Sequence, residues 1–528
     1  MAKLAPLLLL FLSPLVGCGK SPTNPNGTLR IGNVTEPQTL DPHLMVDLQQ
    51  FNIGRALFEG LVTLDCGTLE PIPAVAESWE ISPDGLTYTF HLRPNCRWSD
   101  GSPIVAEDFV YSIRRALSPD FAAPMAELLF PILGSKEFYG GTAPWESVAV
   151  AATDDATLSI TLCRPTPYFL SLLTNPVWSP VQRRCLERDG AATGRNSNWT
   201  RPGSMVSNGP YELAEWRVGD CVLLRKNNSH REVSEWSPDA VAFYPIGDCA
   251  TEQNAFENGE IDITATIPPD RTSIDSSTVS EVESLGVFYY ILRCDVPPLN
   301  NRHLRLALSL AIDRGKLCQL IGRDPRFAAG NLVPPGCGDS HNYEFAHGYD
   351  PERARRELSL AAVGKNSHPI SIAVNGTANH KLIAQAIQEM WLKELGISID
   401  LRCEEWKSFL ITRRSGNFTV ARGGWIGDYN DPTTFLNLFH SAGTNNFCRW
   451  TNGEYDRELD AAERELDGAK RNSHLHRAEE ILLGEAPIIP LYFETNRHRI
   501  SNRVSQWKAN LLDYHLWQKM QLDGGGER

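Results

Sequence analysis

The chain has 528 residues, with 50 Lys and Arg against 64 Asp and Glu, and a formal net charge of −14. That length suits about three domains, and hydrophobic and charged fractions of 42% and 22% exclude global disorder. The acidic balance argues against a nucleic-acid partner, which needs clustered Lys and Arg, and no apolar run of about 20 residues outside the N-terminus supports a polytopic membrane protein.

Lys3 precedes a run of Leu, Ala, Pro and Phe that ends at Val16, too short to span a bilayer but suited to the apolar part of a secretory signal. It closes on Leu15-Val16-Gly17-Cys18, which is similar to the bacterial lipobox, where the signal is cut and the cysteine carries lipid. Residues 1–17 therefore read as a lipoprotein signal peptide, and 18–28 as a Ser-, Pro- and Asn-rich linker after a lipidated Cys18. More than one acyl chain gives firm anchoring, because a single chain binds a bilayer only marginally. Cys18 leaves eleven of the 12 cysteines, an odd number, so at least one thiol stays unpaired in a monomer. No C-x-x-C occurs, so neither thioredoxin chemistry nor a zinc ribbon has support.

Along the mature chain, alternation predicts strands at 29–33 and 86–93, the second bounded by Asp84-Gly85 and Asp100-Gly101 turns. A helix is predicted over 108–117, with Phe109, Ile113 and Ala116 on one face. A strand-rich zone spans 211–224, a helix lies around 252–257, and 259–263 returns to strand. The second half alternates more regularly: helices at 304–311, 351–360 and 380–395, and strands at 370–374, 397–401 and 487–493. Gly396 closes the third of those helices, where a left-handed residue is favoured. An α/β second half behind a β-rich first half suggests two lobes, and lobes leave a cleft.

Enzyme signatures are absent: no G-x-S-x-G, H-E-x-x-H, P-loop or Rossmann glycine set. His474-Leu475-His476, beside Arg471 and Arg477, reads as a solvated helix face rather than a metal site, and Glu404-Glu405 as surface charge. No catalytic residue, cofactor or metal is expected. The segment Gly423-Gly424-Trp425-Ile426-Gly427-Asp428-Tyr429 sets a lone carboxylate among glycines and aromatics, with arginines at 413, 414 and 422. Such a carboxylate needs a cation or several donors. A glycine-rich turn with a capping Asp is the plainer reading of the same residues.

The blocks Glu36-Pro37-Gln38-Thr39-Leu40-Asp41-Pro42-His43, Trp98-Ser99-Asp100-Gly101-Ser102-Pro103, Asp108-Phe109-Val110-Tyr111-Ser112, Asn208-Gly209-Pro210-Tyr211, Tyr349-Asp350-Pro351-Glu352-Arg353-Ala354 and Ala486-Pro487-Ile488-Ile489-Pro490-Leu491-Tyr492 occur in this order. In them the chain resembles the bacterial extracytoplasmic solute-binding proteins of family 5, the oligopeptide- and dipeptide-binding lipoproteins of peptide ABC transporters. The resemblance implies an α/β bilobal periplasmic-binding-protein fold of class II (cluster C), with an extra subdomain on the first lobe and a hinge between lobes. It implies a first-lobe core of 29–56, 173–275 and 489–522, an extra subdomain of 57–172, and a second lobe of 276–488. It further implies capture of short peptides and delivery to permease subunits by a monomer at the periplasmic face of the membrane. A non-peptide cargo on the same fold (a nickel complex, haem, glutathione or another small anion) is the alternative. Carried over by resemblance, Asp428 holds a peptide ammonium, and backbone groups of Gly424, Trp425 and Ile426 pair with the extended ligand. Tyr429 lines the site, and Arg413, Arg422 and His380 receive the carboxylate. Val46, Met125 and Glu494 depart from residues that relatives place in the pocket.

Overall fold

The computed structural model describes residues 27–195, 198–268, 274–338, 348–362 and 369–523; the signal peptide, Cys18 and most of the linker lie outside the described residues. Three sheets of four or five strands organise the chain. The first pairs Thr28–Gly32 in parallel with Ala240–Tyr244, which continues antiparallel through Cys221–Lys226 to Tyr211–Arg217. Its buried face carries Leu29, Ile31, Val222, Leu224, Val241 and Phe243.

The second sheet is antiparallel, in the order Ala76–Ile81, Thr87–Leu92, Thr157–Thr161, Val150–Asp154. Tyr88, Phe90 and Leu92 are buried and their neighbours more exposed, the period of two that marked this strand in sequence. Helix Ala106–Leu117 packs on it, starting two residues before the expected position. Asp108 holds that start, accepting from the Val105 N–H at 3.0 Å and from Trp98 Nε1 at 3.2 Å. The helix is tied to the first sheet's domain by a buried pair: Arg115 donates to Asp41 at 2.6 and 3.1 Å and reaches His43 Nδ1 at 2.9 Å. The Asp41-Pro42-His43 block thus locks two segments together.

The third sheet has the order Asp400–Glu404, Ser371–Asn375, Val420–Ile426, Val279–Leu292, Ile488–Arg499. Its faces are covered by two apolar clusters, one around Tyr290, Ile372 and Trp391, the other around Val287, Phe409 and Tyr455. The last two strands are long, and their pairing is irregular between Glu283 and Val287. Beyond that bulge, Val279–Glu283 with Thr495–Arg499 leave the sheet and reach the first: Thr264 N–H donates to Arg499 O at 3.0 Å, and Ile263 bridges Ile31 and Ile500. Two lobes joined by two strands result.

Three expectations shift. Residues 259–263 form no strand; Ile263 alone makes bridges. The strand expected at 397–401 lies at Asp400–Glu404, because Ile397 and Ile399 are buried in the apolar cluster on the approach to it. The strand expected at 487–493 is Ile488–Arg499, whose polar second half is a connection between lobes and lacks an apolar signature. Ile489, Leu491, Tyr492 and Phe493 pack in the third sheet's clusters. Glu404 accepts from Thr412 Oγ1 at 2.7 Å and Glu405 caps helix Trp406–Ser415. His474 pairs with Glu458 at 2.6 Å. The eleven described cysteines are all free thiols.

Candidate functional site

The site grows from strand Val420–Ile426. On one side it pairs along its length with Val279–Leu292, from Val420↔Leu292 to Ile426↔Gly286. On the other, Ser371–Asn375 pairs only with Val420 and Ala421. Among the described residues no strand covers that edge from Arg422 to Ile426, so backbone N–H and C=O groups there are open to an added strand. Gly423 is required by crowding: a Cβ there would meet Tyr289 Cε2 at 2.6 Å. A Cβ on Gly427 would meet Leu285 at 2.6 Å. Gly424 has no such clash, and Ile426 at the strand's end is 73% exposed.

Asp428 follows directly, its N–H donating to Thr434 Oγ1 at 3.1 Å. Its side chain is open to the cleft, yet enough protein surrounds it that desolvation, with Glu127 adding repulsion, pushes the carboxyl up to about 6. Among the described residues no cation pairs with it. The capping aspartate of the plainer reading is Asp431: its Oδ1 accepts from Thr433 N–H at 3.0 Å, and the carboxylate takes two bonds from Arg471, each 2.8 Å. Tyr429 stacks on Tyr168 with centroids 4.5 Å apart and planes 5° apart. One ring face is therefore taken by the segment opposite, and Tyr429 joins the two sides of the cleft. Trp425 packs against the cluster beneath, its Nε1 at 3.5 Å from Thr434 Oγ1.

Arg413, Arg422 and His380 gather at the other end of the open edge. Arg422 lies over Phe288 at 5.3 Å and Trp406 at 5.9 Å, Arg413 over Phe447 at 4.9 Å, and His380 stacks on Phe288 at 5.5 Å. Nε of Arg413, Nε of Arg422 and Nδ1 of His380 are buried with no hydrogen-bond partner. Burial lowers both guanidinium pKa values, and Arg422 and Arg414 repel the charge on Arg413. Burial and then Arg422 lower His380 to about 4, so it is neutral at pH 7. His380 sits in the first turn of helix Ala378–Leu395, where the helix dipole also favours an anion.

The structure thus brings Gly424, Trp425, Ile426, Asp428, Arg413, Arg422 and His380 around one strand edge, and turns Tyr429 toward Tyr168. Sequence reasoning missed Tyr168, Glu127, Phe288 and Arg471, all distant in sequence and joined only by the fold. Of the departures, Glu494 is spent on Arg323 at 2.5 Å, and Met125 packs on the second sheet's core.

Two lobes, a two-strand hinge and a charged cleft define a bilobal solute-binding protein. The family model for bacterial extracellular solute-binding proteins, family 5 Middle, matches residues 70–447, and the chain belongs to this family. It is 34% identical over 482 residues to the periplasmic oligopeptide-binding protein OppA of Escherichia coli (strain K12), covering 89% of this chain and 87% of that one. It is also 34% identical to the probable deoxycholate-binding periplasmic protein YgiS of the same organism, covering 90% and 89%. A solved structure of the periplasmic murein tripeptide binding protein MppA, in its unliganded open form, superposes with a TM-score of 0.84 at 32% identity, over 94% of this chain and 97% of that one. The bilobal fold expected from sequence is the observed one.

Proposed function

We propose that this protein is the substrate-binding component of an ABC importer, capturing short peptides between its lobes and delivering them to the permease. The observation that carries this is the open strand edge with a carboxylate at one end and two arginines and a histidine at the other, none of them paired among the described residues. A zwitterionic peptide in extended form supplies what each part lacks: backbone partners for the edge, an ammonium for Asp428 and a carboxylate for Arg413, Arg422 or His380. Main-chain pairing is indifferent to side chains, so broad specificity follows. The first lobe's core is assigned to 29–56, 173–275 and the chain from about 494, its extra subdomain to 57–172, and the second lobe to 276–493. The packing of Ile489–Phe493 supports that adjusted return.

We assign export to the signal at 1–17 and a lipid anchor to Cys18, and read the protein as a monomeric receptor tethered at the periplasmic face. Cys18→Ala should move the protein from the detergent phase to the aqueous phase in Triton partition; an unchanged partition refutes the anchor. For the cargo, the melting temperature should rise with free-amine tripeptides and stay unchanged with their N-acetyl forms. Equal shifts refute the Asp428 assignment. The relative named for deoxycholate, an anion without an ammonium, favours a second reading in which the cations alone hold the cargo. Native mass spectrometry of gently purified protein separates the two by ligand mass.

A further inference from the structure

We propose that His498, Asp513 and His515 bind one divalent transition-metal ion where the second hinge strand enters the first lobe. One donor atom from each lies within 4.8 Å of the others, and Nε2 of both histidines is 2.8 Å from the same oxygen, Asp513 Oδ1. Two imidazoles and one carboxylate are a donor set suited to Zn2+ and its neighbours. Asp513 and His515 are buried, His515 only 2% exposed, and His498 is partly buried.

Each donor is aimed by a second group. His498 Nδ1–H donates to Thr264 O at 2.7 Å, which leaves its Nε2 lone pair for a metal. Thr264 is itself fixed, its Oγ1 accepting from Arg499 N–H at 2.9 Å. Asp513 has φ of 51°, a left-handed conformation that aspartate adopts more readily than most residues. The Asn510 side chain imposes it, accepting from Tyr514 N–H at 2.9 Å and donating to Tyr514 O at 2.8 Å. His515 stacks on Trp507 at 3.9 Å, and its Nδ1 is buried with no partner.

Hydrogen bonds alone satisfy this cluster poorly. With Nδ1 committed to Thr264, His498 can donate to Asp513 only as an imidazolium, and His515 keeps an orphan nitrogen. A bound cation lets both rings stay neutral. Asp513 and the buried Glu252, which acts on His498, supply negative charge against Arg55 on the other side. An adjoining cavity of about 150 Å³, lined by Asn496, Ala265 and the three donors, has room for water as a further ligand. The ion would tie the C-terminal segment to the hinge strand.

The test strips the whole mature chain with chelator and adds Zn2+ or Co2+. Expected are one Zn2+ per chain by native mass spectrometry, a higher melting temperature, and a visible Co2+ spectrum with nitrogen-ligand character. His515→Gln and Asp513→Asn, checked for native circular dichroism, should each abolish that spectrum. No uptake by the unsubstituted chain at micromolar free Zn2+ overturns the proposal without reference to any variant. A Co2+ spectrum that survives both substitutions also overturns it, by placing the ion elsewhere.

Discussion

Asp428→Asn keeps the shape of the side chain and removes its charge. Because no cation pairs with Asp428 among the described residues, a ligand ammonium meets an uncompensated carboxylate and the whole charge-assisted bond counts toward binding. Such a bond contributes about 1.5–3 kcal/mol, so affinity for a free-amine tripeptide should fall about 10- to 150-fold. Affinity for the N-acetyl form should hardly change. A pH dependence follows with a definite sign. The carboxyl of the free protein titrates at about 6, and an ammonium binds its ionised form, so binding expels a proton below that pH. Affinity should therefore fall about tenfold from pH 7 to pH 5. It should also fall above the ligand amine's own pKa of about 8. His380, at about 4, stays neutral across most of this window and does not create the acidic limb. Isothermal titration of both peptides against both proteins at pH 5, 6 and 7 measures all of this. The reasoning is refuted if the variant keeps the parent's amine-to-acetyl ratio or its acidic limb.

Arg413→Gln should leave the melting temperature of the free protein unchanged or higher, since burial and the neighbouring arginines already oppose this charge, while it weakens binding of ligands with a free carboxylate. Lower free-protein stability with undiminished binding would make Arg413 a structural residue. Asp431→Asn should lower unfolding free energy by about 3–5 kcal/mol in urea, because it strands the buried Arg471 guanidinium; a loss below about 1 kcal/mol, the value of an exposed pair, contradicts the burial argument. Gly423→Ala should cost about 1–3 kcal/mol by forcing Tyr289 from under the strand. Unchanged stability there would mean that the strand edge moves freely.

Much of the scaffold is legible locally. Alternation marked the strand at Thr87–Leu92, and Gly396 with φ of 67° ends its helix as a left-handed cap. The hinge was not legible, because Thr495–Arg499 has a polar composition that resembles a loop; its strand character comes from pairing with residues more than two hundred positions earlier. At the site, the carboxylate among glycines was visible as an anomaly. That Asp431 rather than Asp428 caps the turn was not, since this depends on Arg471, 40 residues on. His498, Asp513 and His515 are spaced by 15 and 2 residues across a strand and an irregular segment, a spacing no motif uses.

Buried charges of the scaffold shift in both directions, Asp108 and Arg314 toward their neutral forms and others toward their charged forms. Burial raises Glu59, but bonds from Arg231 and His230 outweigh it and bring the carboxyl down to about 2; Asp41 beside Arg115 is likewise lowered. These charged forms are matched within the protein. Asp428, His380, Arg413 and Arg422 all shift toward their neutral forms, so each ion lacks its counterpart. Glu479 shifts the same way, to about 7, but its carboxylate accepts from the Leu332 and Val333 N–H groups at 2.9 Å inside the second lobe, away from the strand edge. What singles out the cleft is the combination: unmatched charges of both signs at opposite ends of one uncovered strand edge. A ligand that matches them satisfies both ends at once, and a ligand of one charge leaves one end as frustrated as before. Affinity should therefore depend on both ends of the ligand together.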